Sequence, residues 1–130
     1  MRHLVVDDSR TSRLALAAML RAAGPGCEVE EAGSLDEALA AFGRQRPDFV
    51  FLDLQLDLQV TGTPGGSTGL VVLDCMLRED PGARVVVVTA LPADHPDVLD
   101  AVDLGAAAVM GKPVTRDALA RALALARPAA

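Results

Sequence analysis

Neither tryptophan nor tyrosine occurs in these 130 residues, and the aromatic complement is three phenylalanines. The chain therefore has no stacking platform for bases and no aromatic cage for a cation. Basic residues number twelve against eighteen acids, giving a net charge of −6 and a sequence pI near 4.7, the opposite of a nucleic-acid-binding footprint. The two cysteines, Cys27 and Cys75, have neither metal-ligand spacing nor clustered histidines for company. They read as small core residues of a reducing compartment rather than as a disulfide. No apolar run approaches bilayer-spanning length, and Met1-Arg2-His3 leads straight into a strand-like run, without a signal peptide. A cytoplasmic location without membrane attachment is expected. Lysine is nearly absent as well: eleven of the twelve basic residues are arginines, and the exception is Lys112. A compact, mobile ammonium among rigid guanidinium forks points to a point charge with a specific task.

What is present is hydrophobic, 51% of residues with a mean hydropathy of +0.31, in a length that suits one domain over residues 1–130. Short apolar runs and amphipathic stretches alternate. Strands are predicted at His3 to Val6, Cys27 to Ala32, Phe49 to Leu52, Val85 to Val88 and Ala107 to Met110. The second is the most polar and suits a sheet edge, whereas Phe49-Val50-Phe51-Leu52 and the four valines read as strands buried on both faces. Helices follow each strand. The first is capped by Ser9, Thr11 or Ser12 and stops at Gly24-Pro25-Gly26, and the second opens on the capping box Ser34-Leu35-Asp36-Glu37 and closes at Gly43. The third runs from Leu70 to Arg78, the fourth from Val98 to Leu104 and the last from Thr115 to Ala126. A βαβαβαβαβα order predicts an α/β fold, a doubly wound five-stranded parallel sheet with helices on both faces.

In such a sheet the carboxyl ends of the strands share one edge, where α/β folds bind ligands. Strands one, three, four and five end at Asp7-Asp8, Asp53, Thr89-Ala90 and Lys112-Pro113. Three carboxylates, a hydroxyl and an ammonium are thus expected to converge. Clustered carboxylates repel and need a counterion, and hard oxygen ligands in small number suit Mg²⁺.

With Val6-Asp7-Asp8-Ser9, Asp53, Thr89-Ala90 and Lys112-Pro113 in order, the chain resembles a response-regulator receiver domain, of the chemotaxis-regulator-like single-domain kind, across essentially its whole length. The resemblance implies the (βα)5 flavodoxin-like receiver fold and a cytoplasmic two-component phosphoprotein. Asp53 would be the phosphoacceptor, taking a phosphoryl group from the phosphohistidine of a sensor kinase or phosphotransfer protein. Asp8 would bind Mg²⁺ (or Mn²⁺) directly, Asp7 mostly through water, and Asp53 and the Gln55 carbonyl would complete the ligands. Lys112 would pair with Asp53 and then with a phosphoryl oxygen, while Thr89 would donate its hydroxyl to another, beside the small Ala90. It would catalyse its own phosphorylation and slow dephosphorylation without being a turnover enzyme. Two other classes use similar equipment. A flavin site would need a phosphate-cradling loop where Asp7-Asp8 stands, and a Mg²⁺-dependent phosphohydrolase with an Asp nucleophile would carry a second Asp at the position of Gln55. A partner-binding pseudo-receiver is disfavoured by the intact Asp, Thr and Lys set.

Departures from the family pattern locate further expectations. Val109 replaces the usual Tyr or Phe three residues before the lysine, so the aromatic switch is missing, and Val114 stands where Phe is frequent. Leu91, with Gln55, holds a position that tunes acyl-phosphate lifetime, its apolar side chain restricting attacking water. The stretch 54–68 is longer than usual and carries Thr61-Gly62-Thr63-Pro64-Gly65-Gly66-Ser67-Thr68; it reads as a flap or a tolerated insertion, and its Asp57 as a solvated acid or a perturber of the metal. Asp94, Asp97, Asp100 and Asp103 form a stripe that reads as a solvated face, or as a docking surface within the fourth helix, fifth strand and fifth helix. Arg116, Arg121 and Arg127 would lie beside it, suiting a downstream protein target or self-pairing. No output module follows within the 130 residues, and a single-domain regulator and a receiver cut from a longer protein both fit.

Overall fold

The computed structural model describes residues 1–55 and 68–126. Asp57 and most of the predicted loop 54–68 fall in residues 56–67, outside the described residues, as does Arg127. The elements alternate throughout: β1 (Arg2–Val6), α1 (Arg10–Ala23), β2 (Glu28–Ala32), α2 (Leu35–Gln45), β3 (Phe49–Asp53), α3 (Thr68–Glu79), β4 (Val85–Thr89), α4 (Pro96–Leu104), β5 (Ala108–Gly111) and α5 (Arg116–Ala126). The sheet has the order β2-β1-β3-β4-β5 with every pairing parallel, and the polar β2 is an edge strand as its composition predicts.

Strand side chains alternate between faces, and this divides the core in two. Leu4, Val6, Val50, Leu52, Val85 and Val87 pack with Phe42 of α2, Leu73 and Met76 of α3, and Val98 and Ala101 of α4. On the other face Val5, Phe49, Phe51, Val86, Val88 and Met110 pack with Leu16 and Leu20 of α1 and Leu119 and Ala122 of α5. Carried past the last apolar residue, one step in β1, β3 and β4 and two in β5, the same alternation aims Asp7, Asp53 and Lys112 toward the α1/α5 face and Thr89 toward the α3/α4 face. The functional edge is thus an extension of the core pattern.

Local chemistry sets the helix ends, in places differently from the sequence reading. Ser9 is the cap of α1, its hydroxyl accepting from Ser12 N. The capping box forms with a shift: Ser34 Oγ accepts from Glu37 N at 3.2 Å, while Glu37 Oε2 accepts at 2.8 Å from Gly33 N, one residue before the cap. Gly43, expected to close α2, lies inside the helix; the chain leaves it at Arg46, which takes the left-handed conformation (φ 46°) and donates its N–H to Phe42 O. Glycine merely permits a stop, and two further residues continue the helical bonding. Helix α4 starts earlier than its apolar pattern, because His95 Nδ1 accepts from Asp97 N at 3.1 Å and Pro96 opens the first turn. Cys27 and Cys75 are free thiols, half-buried rather than core.

His3 is the one buried imidazole among the described residues, packed 5.6 Å from the Phe49 ring and 5.8 Å from the Phe51 ring, centroid to centroid. Its buried Nδ1 has no hydrogen-bond partner there. Burial, then the charge of the N-terminal amine, hold its pKa below the ordinary 6.5 against an opposing pull from Asp48. The unfolded chain therefore binds the proton first, and stability falls as the pH drops below about 6.5 until the folded imidazole also titrates. His3→Leu is expected to remove this component, flattening the fall of the urea midpoint below about pH 6.5; an equally steep slope in the variant would show that other groups set it.

Candidate functional site

At the carboxyl edge of the sheet, β1 and β3 each deliver a buried carboxylate. Asp7 is 6% exposed and Asp53 is 4% exposed. Strand β1 is registered against β3 up to Val6 opposite Leu52, which sets the two acids side by side one residue further on. Lys112, just past β5, bridges them, with Nζ 3.1 Å from Asp7 Oδ2 and 3.1 Å from Asp53 Oδ2. Its backbone N–H is tied to Thr89 O at 2.9 Å, which fixes the base of the side chain, and the Lys112–Pro113 peptide is cis. The remaining carboxylate oxygens are held by local amides: Ser9 N donates to Asp7 Oδ1 at 2.8 Å and Gln55 N to Asp53 Oδ1 at 2.9 Å.

Two carboxylates this close would repel, and the ammonium between them offsets that repulsion. Burial alone would lower the lysine pKa, but hydrogen bonds and charge attraction from Asp53 and Asp7 outweigh it and hold the group above 10.5. Asp8 is exposed, and Asp7, Asp8 and Asp53 present oxygens that all lie within 4.8 Å of one another. This set of hard oxygen donors, two buried and one exposed, fits a hydrated Mg²⁺ or Mn²⁺.

The other predicted residues surround this cluster. Thr89 is 1% exposed, and its Oγ1 accepts from Leu91 N at 3.0 Å, so the hydroxyl proton remains available as a donor. Ala90 is exposed, while Leu91 is partly buried against the α3/α4 core. Gln55 is exposed at the lip, beside Asp53. Val109 pairs with Val87 and is 39% exposed on the α4 side, away from Lys112. Below the cluster lies a cavity of about 470 Å³ between α1 and the β5–α5 connection, lined by Leu16, Phe51, Val88 and Val114 with Lys112 at its rim.

Three features escaped the sequence reading. Lys112 was expected on Asp53, and its second bond to Asp7 needs the register of three strands. Gly69, in the first turn of α3, is closely packed: a Cβ there would lie 2.5 Å from Leu54 O, 2.6 Å from Leu54 Cα and 2.8 Å from Asp53 O. Helix α3 therefore starts in direct contact with the backbone that carries Asp53. Arg13, unremarked on α1, donates Nη1 to Asp7 O at 2.6 Å. A glycine and an arginine inside ordinary helical patterns give no local sign of such contacts.

The acidic stripe is also redrawn. Asp97, Asp100 and Asp103 lie on α4, but Asp94 sits in the preceding turn, where the His95 cap separates it from the helix. Exposed Leu99, Val102 and Val109 accompany these acids, and Arg116 and Arg121 are exposed on α5.

Comparison with known proteins gives the family. The family model described as response regulator receiver domain matches residues 4–124. The chain belongs to that family. Its receiver domain is 36% identical over 118 residues to a protein-glutamate methylesterase/protein-glutamine glutaminase of Agrobacterium fabrum, covering 90% of this chain and 31% of that protein. The chain thus spans about a third of that relative's length. The crystal structure of the receiver domain of NtrX from Brucella abortus is similar with a TM-score of 0.79 and 31% identity, covering 95% of this receiver and 96% of that one. A response regulator protein from Burkholderia pseudomallei, solved with a phosphorylated aspartic acid, calcium ion and citrate, is 28% identical with a TM-score of 0.77, covering 94% of this chain and 65% of that chain. The protein is accordingly a phosphoacceptor receiver domain of a two-component system, and the flavin reading gives way. Receiver domains interact with kinases and downstream effectors; among the described residues no helix is long and apolar enough to cross a membrane.

Proposed function

We propose that this receiver domain accepts a phosphoryl group on Asp53 Oδ2 from the phosphohistidine of a sensor kinase or phosphotransfer protein, with Asp7, Asp8, Asp53 and the Gln55 carbonyl as the metal-binding groups. The observation that carries the reading is the Lys112 bridge, which joins two buried acids at the carboxyl edge of the sheet. Asp53 is held by Gln55 N on one oxygen, leaving the lysine-bound oxygen as the attacking atom. As that oxygen bonds phosphorus, the P–N bond of the donor breaks, its electrons return to the imidazole, and Lys112 moves its hydrogen bond to a phosphoryl oxygen. Thr89 Oγ1 donates to a second phosphoryl oxygen while still accepting from Leu91 N. A bound divalent cation supplies charge neutralisation for the transferring group. Phosphoryl transfer depends mostly on positioning and charge, and these residues provide both. The Burkholderia relative, solved with a phosphorylated aspartic acid and a calcium ion, supports an aspartate as the acceptor.

The domain is read as a self-phosphorylating regulator in the cytoplasm rather than a turnover enzyme, with Ala90 leaving room for the phosphoryl group and Leu91 limiting attack by water. Its output passes through the α4–β5–α5 face, to a protein target or a second copy, without an aromatic at Val109. Mg²⁺ with a small acyl-phosphate donor is expected to add one phosphoryl mass to the wild type and none to Asp53→Asn, by intact mass spectrometry. Equal modification of both would overturn the assignment.

A further inference from the structure

We infer that Arg13 is a positioning residue for the metal-binding acid pair, acting through the backbone of Asp7. The inference rests on the proposed metal-binding role of Asp7 and Asp8. Every polar group of Asp7 has a partner: its N–H donates to Ala32 O at 3.1 Å, its two carboxylate oxygens accept from Ser9 N and Lys112 Nζ, and its carbonyl accepts from Arg13 Nη1 at 2.6 Å. That carbonyl belongs to the Asp7–Asp8 peptide, so the arginine fixes the plane from which the exposed Asp8 carboxylate projects. A charge-assisted bond to a carbonyl is among the stronger ties available to a backbone.

The guanidinium is itself confined by an ion pair and by close packing, although its Nε makes no hydrogen bond. Arg13 leaves the first turn of α1 and lies with Nε 3.4 Å from Glu31 Oε1 of β2, with its side chain only 17% exposed. Gly33, just past β2, supplies the room: a Cβ there would lie 2.9 Å from Nη1 and 3.4 Å from Cζ. Arg13, Glu31 and Gly33 together make a bracket behind the acid pair, built from α1 and β2. Unlike Lys112, Arg13 bonds no carboxylate of the cluster, so a cation entering the site need not displace it. Outer groups that orient metal ligands commonly matter at the level of 10- to 100-fold in metal affinity.

Charge and positioning make opposite predictions, which makes the inference testable. If Arg13 were only a nearby positive charge, its removal would tighten cation binding by Coulomb's law. As a positioning residue, its loss weakens binding. Calorimetric titration with Mg²⁺ is expected to show about tenfold weaker binding in Arg13→Gln. Gly33→Ala, which keeps every charge and displaces only the guanidinium, is expected to shift affinity in the same direction. With an acyl-phosphate donor, both variants should need more Mg²⁺ for half-maximal phosphorylation yet approach the wild-type rate at saturation. Should Arg13→Gln fail to fold by circular dichroism, Gly33→Ala and Arg13→Lys carry the test. Wild-type or tighter Mg²⁺ binding in the folded variants overturns the inference. A wild type that binds Mg²⁺ but takes no phosphoryl group would instead overturn the proposed function, leaving the calorimetric result on Arg13 to stand.

Discussion

Replacing Lys112 by Met is expected to lower phosphoryl acceptance by about 100-fold, the usual scale for removing one charge-stabilising donor, while Mg²⁺ binding becomes several-fold tighter. Both effects follow from one geometry. The ammonium lies 3.1 Å from an oxygen of each buried acid, so it is the cation the site holds before metal enters, and it competes for the same negative charge. Without it nothing replaces the hydrogen bond to a phosphoryl oxygen. Metal-free stability should fall by about 2 kcal/mol, the scale of hydrogen bonds to charged groups, and Mg²⁺ should restore more of it than it adds to the wild type. The wild-type pH profile has a matching sign. Because the folded lysine titrates above 10.5, its contribution is fully present below that value and is lost as the pH rises through the folded pKa. Weaker Mg²⁺ binding in the variant, by calorimetry, would show that Lys112 organises the acids rather than competing for them.

Gly69→Ala should be among the most damaging single-methyl additions in the chain. Its Cβ would meet Leu54 O, Leu54 Cα and Asp53 O, all closer than 3.0 Å. These are backbone atoms of a buried strand end and cannot swing aside like a flexible side chain. Either α3 withdraws or the Asp53–Leu54 segment moves, and overpacking of this kind costs about 3 kcal/mol, roughly 10 °C in melting temperature for a domain of this size. Leu54 N also donates to Val88 O at 3.1 Å, so displacement would loosen the β3–β4 edge and misplace the Asp53 carboxylate. Phosphorylation should therefore fall even where the variant remains folded. A melting temperature within about 2 °C of wild type would mean that the helix start relaxes freely.

Much of this was legible in the chain itself. The run Phe49-Val50-Phe51-Leu52-Asp53 announces both a strand buried on two faces and a polar group at its end, because a parallel strand covered by helices must be apolar until it reaches the edge. The four valines before Thr89 carry the same message. Element boundaries were less legible where a side chain, and not an apolar period, sets them. His95 caps α4 through its ring nitrogen, and Arg46 ends α2 in a conformation usually left to glycine or asparagine.

The sequence alone determined that this is an alternating α/β domain with acids, a hydroxyl and one lysine at strand ends, and these residues carry the family resemblance. Only the tertiary structure decided how they connect. Lys112 reaches Asp7 as well as Asp53, Arg13 grips the Asp7 carbonyl, and Gly69 lies against the Asp53–Leu54 backbone. The physical reason is separation along the chain. Strand and helix patterns arise from neighbours a few residues apart, whereas Lys112 is 105 residues from Asp7 and meets it only when parallel pairing brings β1, β3, β4 and β5 into register.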